Sequence, residues 1–271
     1  MKQSGYHPGM DTKKHLSQLP LEVASLTTSQ KAWIHAFVQQ FKMPHTFTRN
    51  SSSDLVTDLV LENIGDLLRI HHAMSKRSLS KAPFEYAFEK ALQLSGQPAK
   101  LADSATNPGF DMTIAKTRVS LKTEAAKNVK ENAIHVSKWM EMGKGDWDPP
   151  KVQLPRFLSH MQGYDRILSL RCLVQTGTHY WYELVEIPHS LMLEAAKGTM
   201  TKAEKTKQET FPWYCHVPDG KGGNKFSLYF DAGSERKLQV KNLLKSHCVV
   251  HATWKFESFQ LTPEASNGEE E

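Results

Sequence analysis

The stretch Phe110-Asp111-Met112-Thr113-Ile114-Ala115-Lys116-Thr117-Arg118-Val119-Ser120-Leu121-Lys122-Thr123-Glu124 decides how this chain is read. Its two halves are short and rich in β-forming residues, and Ala115-Lys116-Thr117 separates them, which predicts a β-hairpin. A loop symmetric about Lys116-Thr117 pairs Ala115 with Arg118, Thr113 with Ser120 and Asp111 with Lys122. Opposed residues of an antiparallel pair project to the same face, while neighbours along a strand alternate. Phe110, Met112, Ile114, Val119, Leu121 and Thr123 then share one face. The other face gathers Asp111, Ser120, Lys122 and Glu124: two carboxylates, a hydroxyl and an ammonium.

Such a grouping suits hydrolysis of a phosphodiester. Mg²⁺ is held by one or two carboxylates, waters and phosphate oxygens, and it acidifies a bound water. An adjacent ammonium offsets phosphate charge and helps position or deprotonate the water. The commoner reading of the same residues is a solvent-facing hairpin with an Asp–Lys cross-strand pair. The register decides between them, because a slip of one residue would scatter the group.

Working outward, the first hundred residues are mostly helical in pattern. Residues 1–28 read as a leader with weak periodicity. Ala32 to Phe41 has helical spacing and stops at Met43-Pro44. Ser51-Ser52-Ser53-Asp54 is an N-cap cluster for an amphipathic helix from Leu55 to about Met74. Pro83 sits in the first turn of a third helix, which ends near Ser95-Gly96. Asn107-Pro108-Gly109 marks a turn before the hairpin. After it, Glu124 to Met142 predicts a polar helix, and strands follow at Arg166–Gln175, His179–Ile187, 211–217, 225–231, 237–241 and 248–256. Leu191–Lys197 reads as a short helix between them. Helices first and a mixed sheet afterwards make the fold class α/β (α+β).

Composition bounds the function. The 271 residues, 39% of them hydrophobic, can build a substantial core but contain no run near the ~20 apolar residues of a membrane span. Met1–Leu19 has no apolar h-region, which argues against a secretory signal. Cys172, Cys215 and Cys248 lie far apart and form no CxxC pair, so a reducing cytosol is expected. The net charge of +5 hides an asymmetry, because the segment from Glu257 onward holds five Glu and no Lys or Arg. Without that segment the body carries +10, which suits a polyanionic partner.

Asp111 followed by Ser120-Leu121-Lys122-Thr123 resembles the PD-(D/E)xK nucleases, particularly type II restriction endonucleases. The Phe84-Glu85 pair is similar to the helix that supplies an extra acidic residue in many of them. Two departures stand out: Pro108 lies three residues ahead of Asp111 rather than beside it, and Ser120 occupies the (D/E) position. The resemblance implies a restriction-endonuclease-like mixed β-sheet core flanked by helices, with a helical N-terminal region. The chain is expected to divide into residues 1–80 as that helical region, 81–256 as the nuclease core with DNA-binding elaborations, and 257–271 as an acidic tail that its composition marks as disordered.

The resemblance also implies Mg²⁺ as cofactor, Asp111 as a ligand, Lys122 as the catalytic lysine, and Ser120 bonding a ligand or water. The missing carboxylate would come from Glu85, Glu89, Glu124 or Glu131, with Glu85 and Glu124 favoured. The implied substrate is duplex DNA at a palindromic site, cut in both strands by a homodimer in the prokaryotic cytoplasm. The alternatives are a repair or structure-specific nuclease with the same core, and a non-catalytic DNA-binding module with a decayed hairpin. Lys127 and Lys130, with His135 and Lys138, fall on the expected helix after the hairpin, where they could approach a phosphate. Lys202, Lys205 and Lys207 lie in a Gly/Thr-punctuated loop suited to the same role. No His pattern of the HExxH type is present, and His247, Cys248 and His251 read as packing.

Overall fold

A computed structural model describes residues 12–104, 109–126, 128–205 and 207–261. The chain opens with helices α1 (Thr12–Ala24) and α2 (Thr28–Lys42), the short strand β1 (His45–Arg49), and helices α3 (Asp58–Met74) and α4 (Lys81–Leu94). A capping box between Thr27 and Gln30 starts α2, and the Thr57 side chain accepts the Val60 N–H to start α3. Helix α4 stops where Gly96 takes φ +77, a left-handed conformation open to glycine, and the Gln97 N–H returns to the Leu92 carbonyl.

Strands then dominate: β2 (Ala99–Leu101), β3 (Met112–Ile114), β4 (Thr117–Glu124) and β5 (Ala133–Glu141). After α5 (Leu154–Met161) come β6 (Arg166–Thr176), β7 (His179–Glu186) and α6 (His189–Leu193). The last part is β8 (Thr199–Lys202), β9 (Trp213–Pro218), β10 (Asn224–Asp231), β11 (Lys237–Leu244) and β12 (Val249–Glu257).

Two sheets result. A seven-stranded mixed sheet has the order β1-β12-β7-β6-β4-β3-β2, and a five-stranded sheet has the order β5-β11-β10-β9-β8. Strand β4 pairs parallel with β6 and antiparallel with β3. One face of the large sheet presents Val119, Leu121, Leu168 and Leu170 to a core completed by α3 and α4 through Val60, Leu61, Phe84 and Phe88. Its opposite face contributes Ile167 and Val185 to a second core, with Phe157 and Met161 of α5 and Leu228 and Phe230 of β10. The α+β architecture is therefore a mixed sheet carrying helices on one side and a second sheet on the other.

Several sequence expectations are corrected here. Glu124–Met142 is not a helix, since residues 133–141 form β5. Ile134, Val136 and Trp139 point inward, and β11 offers an antiparallel edge for its backbone groups, a partner no local pattern can reveal. Lys130 therefore lies in the loop before β5, and His135 and Lys138 lie on the strand. The hairpin register also differs by two residues: Ile114 pairs with Thr117 across Ala115-Lys116, and Met112 with Val119. Ala115 takes φ +52 to make this tighter turn. Because the difference is even, side chains within the two strands keep their expected faces, but Phe110, which precedes β3, packs against the second core and not beside Met112. Strands β1, β2 and β8 and helices α1 and α5 had no expectation matching them; Thr199–Lys202, read as part of a loop, pairs with β9, so Lys202 lies on a strand.

Asn107, Pro108, Lys127 and residues 262–271 of the acidic tail lie outside the described residues. The start of the tail is tied down: Ser258 Oγ donates to the Arg69 carbonyl, and the Leu261 N–H to the Ala73 carbonyl.

Candidate functional site

The polar face of the hairpin is buried, not solvent-facing. Ser120, Lys122 and Glu124 are 1%, 6% and 7% exposed, because the second sheet closes over them. A cleft of about 660 Å³ remains open beside them, lined by Lys81, Asp111, Ser120, Lys122, Trp139 and His160, among others. Burying charge without compensation is expensive, so an ammonium and a carboxylate kept at a cleft wall mark this place as the candidate site.

Asp111 precedes β3 and is clamped from its partner strand. Its Oδ2 accepts the Leu121 N–H at 2.6 Å and the Ser120 hydroxyl at 3.1 Å. Its Oδ1 accepts from the Lys81 ammonium at 2.7 Å. That ammonium also lies 3.2 Å from Glu85 Oε1, one turn further along α4. The two carboxylates thus converge on a single cationic position. Burial alone would lower Lys81, but Asp111 and Glu85 outweigh it and hold the ammonium above its ordinary value. Burial lifts the Glu85 carboxyl, with Lys81 opposing and Asp111 reinforcing the rise.

Lys122 rises from β4 into the same cleft. Its Nζ stands 5.4 Å from the centre of the Trp139 ring, and the Trp139 indole N–H is anchored on the Tyr164 hydroxyl at 2.9 Å. Burial pushes Lys122 down to about 8; Asp111 and Glu85 resist the fall and Lys81 assists it. A lysine brought into that range can exchange a proton near neutral pH.

The structure separates the favoured carboxylates. Glu85 reaches the Asp111 position through Lys81. Glu124, although on the expected face, turns to Arg171 Nε at 2.6 Å and accepts the His135 N–H at 3.0 Å. Arg171 is fully buried, also pairs with Glu183, and donates to the Lys130 and Ala133 carbonyls. Lys245 completes this network on Glu183 at 3.0 Å. Glu124 therefore belongs to an internal clamp between the sheets. Of the other two, Glu89 accepts the Leu101 N–H and Glu131 is exposed in the loop before β5.

Lys81, Trp139 and His160 are additions to the residues read from sequence. The spacing of Lys81 to Glu85 on a helix was a usable signal for the first. Trp139 and His160 reach the cleft only through the packing of β5 and α5. Among the described residues no group of three or more His, Cys, Asp or Glu could hold a metal ion. That does not disfavour Mg²⁺, which takes one or two carboxylates and fills its shell with water. The convergence of Asp111 and Glu85 on one cation fits that donor set. Of the expected phosphate contacts, Lys130, Lys202, Lys205 and Lys207 are exposed. The Lys202 ammonium stacks 4.4 Å over the Phe211 ring.

Comparison with known proteins identifies relatives. The model of the SmaI family, described as type II site-specific deoxyribonuclease, matches residues 19–256. The chain is 44% identical over 231 residues to the type II restriction enzyme SmaI of Serratia marcescens, covering 85% of this chain and 93% of that protein. No solved structure matches the chain.

Proposed function

Because the chain belongs to the SmaI family of type II site-specific deoxyribonucleases, we propose that it is a Mg²⁺-dependent PD-(D/E)xK-type restriction endonuclease cutting both strands of a specific duplex. The observation that carries this reading is the meeting of Asp111 and Lys122 in one cleft, with Glu85 joined to Asp111 through Lys81 and Ser120 bonded to Asp111. Asp111 and Glu85 would hold the metal, which when bound supplies a Lewis acid for a phosphate oxygen and acidifies a water. The Ser120 hydroxyl and the Leu121 N–H hold Asp111 Oδ2, which orients Oδ1 toward the cleft.

Lys122, pushed down to about 8, takes the proton from the attacking water while the water oxygen bonds to phosphorus. One P–O ester bond breaks, and its oxygen leaves with the bonding electrons and takes a proton from solvent water. Trp139 covers the lysine and keeps bulk water from solvating it. Ser120 in the acidic position of the motif is thus a support for Asp111, and Glu85 supplies the second carboxylate. Glu124 is assigned to the clamp with Arg171 instead.

Lys130, Lys202, Lys205 and Lys207, with Lys127, are the proposed backbone-phosphate contacts, a role that steers and positions the duplex without reading bases. One site per subunit requires a homodimer whose twofold axis matches a palindromic sequence. Residues 81–256 carry this machinery, and the preceding α1, α2, β1 and α3 add a strand and helices to its large sheet. The enzyme works in the prokaryotic cytoplasm, where the DNA is; no helix among the described residues is long and apolar enough to cross a membrane. Plasmid cleavage with Mg²⁺ or EDTA tests the assignment. Discrete fragments with Mg²⁺ alone are expected. Nicking or smearing would favour a repair nuclease, and binding without cleavage a non-catalytic module.

A further inference from the structure

Asp111 has one oxygen left for a metal, and a lysine already holds it. Oδ2 is committed to two donors of β4, the Leu121 N–H and the Ser120 hydroxyl. Oδ1 is bonded at 2.7 Å to Lys81 Nζ, which simultaneously meets Glu85 at 3.2 Å. A divalent cation held by Asp111 and Glu85 would need the oxygens that the Lys81 ammonium already occupies. The lysine is built to leave: its side chain is 45% exposed, against 18% for Asp111 and 21% for Glu85. It springs from the first turn of α4 on a flexible stem, among the residues that line the cleft.

We propose that Lys81 is a displaceable internal counter-ion. It holds Asp111 and Glu85 together while no metal is bound, competes with the metal for them, and swings out when the metal enters. Two like charges brought to one point repel unless a cation lies between them. A tethered ammonium supplies that cation at all times, keeping the site assembled and weakening adventitious metal binding. Once displaced, Lys81 stands free at the cleft mouth beside an incoming phosphate, so DNA that attracts it lowers the barrier to metal entry. Metal and DNA then assist each other's binding, as coupled ligands must do reciprocally.

This inference rests on the reading of Asp111 and Glu85 as metal ligands, and its test distinguishes the two. Mn²⁺ alone is titrated into the full chain without DNA, with bound metal read by calorimetry and by loss of the free-ion electron-spin signal. Lys81→Met is expected to bind Mn²⁺ ~3- to 10-fold more tightly than the unaltered chain, the range set by losing two partly exposed ion pairs. Adding Asp111→Asn should abolish the gain. Thermal unfolding verifies that the variant is folded, and Lys81→Gln, which keeps a polar tip, should give the same order. If affinity is unchanged or weaker in folded Lys81→Met and Lys81→Gln while Asp111→Asn still abolishes binding, the counter-ion role is overturned and the ligand reading stands. If binding is indifferent to Asp111 and Glu85 altogether, both are overturned.

Discussion

Replacing Lys122 by Met should make the protein more stable while removing its activity. The lysine is 6% exposed and its ammonium is pushed from an ordinary 10.5 down to about 8, chiefly because burial penalises the charge. Each tenfold change in that protonation equilibrium corresponds to about 1.36 kcal/mol, so the charged lysine costs the folded state about 3 kcal/mol at pH 7. Methionine keeps the unbranched stem against Trp139 and carries no charge. Urea unfolding followed by tryptophan fluorescence, in EDTA at pH 7, should show the variant stabilised by about 2–3 kcal/mol.

The pH dependence gives the sign independently. Between pH 8 and 10.5 the unfolded chain holds a proton on Lys122 that the folded chain has lost, so stability rises with pH across that window. The variant should lack this rise, and the two curves should approach each other near pH 10.5. A Lys122→Met protein less stable than the unaltered chain at pH 7 would refute the reasoning. It would mean that the attraction of Asp111 and Glu85 outweighs burial, and that the lysine is not poised to exchange a proton.

Other outcomes follow from the same geometry. Glu85→Gln should reduce cleavage by ~10²-fold or more and weaken Mn²⁺ binding, whereas Glu124→Gln should lower stability and leave Mn²⁺ affinity unchanged. Equal losses of metal affinity in both would undo the separation of the two carboxylates. Arg171→Met should cost about 3–5 kcal/mol in denaturant unfolding, because it leaves Glu124 and Glu183 buried without their shared guanidinium. His72, buried against Tyr180 and Tyr182, is pushed down to about 3 by burial, so the folded chain refuses a proton that the unfolded chain accepts. Stability should therefore fall as pH drops below 6.5 toward 3, and less so in His72→Phe, as thermal unfolding across that range can measure.

Much of the site was legible because period-two alternation is a local property. Asp111, Ser120, Lys122 and Glu124 share a face whatever even register the hairpin adopts, so an error of two residues in the turn did no harm. Glu124 shows the limit of that logic. Sharing a face places a side chain on a surface, but the neighbour it finds there, Arg171 on β6, arrives across a parallel pairing from 47 residues away. The same limit explains β5: Lys, Glu and Ala between Glu124 and Met142 favour a helix locally, while the free edge of β11, about a hundred residues later, makes a strand of it.

By itself, then, the sequence determined the alternation of the hairpin, the strands β6, β7 and β9–β12, the helices α2–α4 and the basic body, since each follows from local spacing and composition. It also placed Asp111 and Lys122 together, because a two-stranded turn is the shortest-range tertiary contact a chain can make. Only the tertiary structure decided that this polar face is buried under a second sheet. The same holds for the choice of Glu85 over Glu124 beside Asp111, and for Lys81 standing between the two carboxylates. Those outcomes depend on burial and on long-range charge pairing, whose energies belong to residues distant in the chain and leave no periodic trace along it.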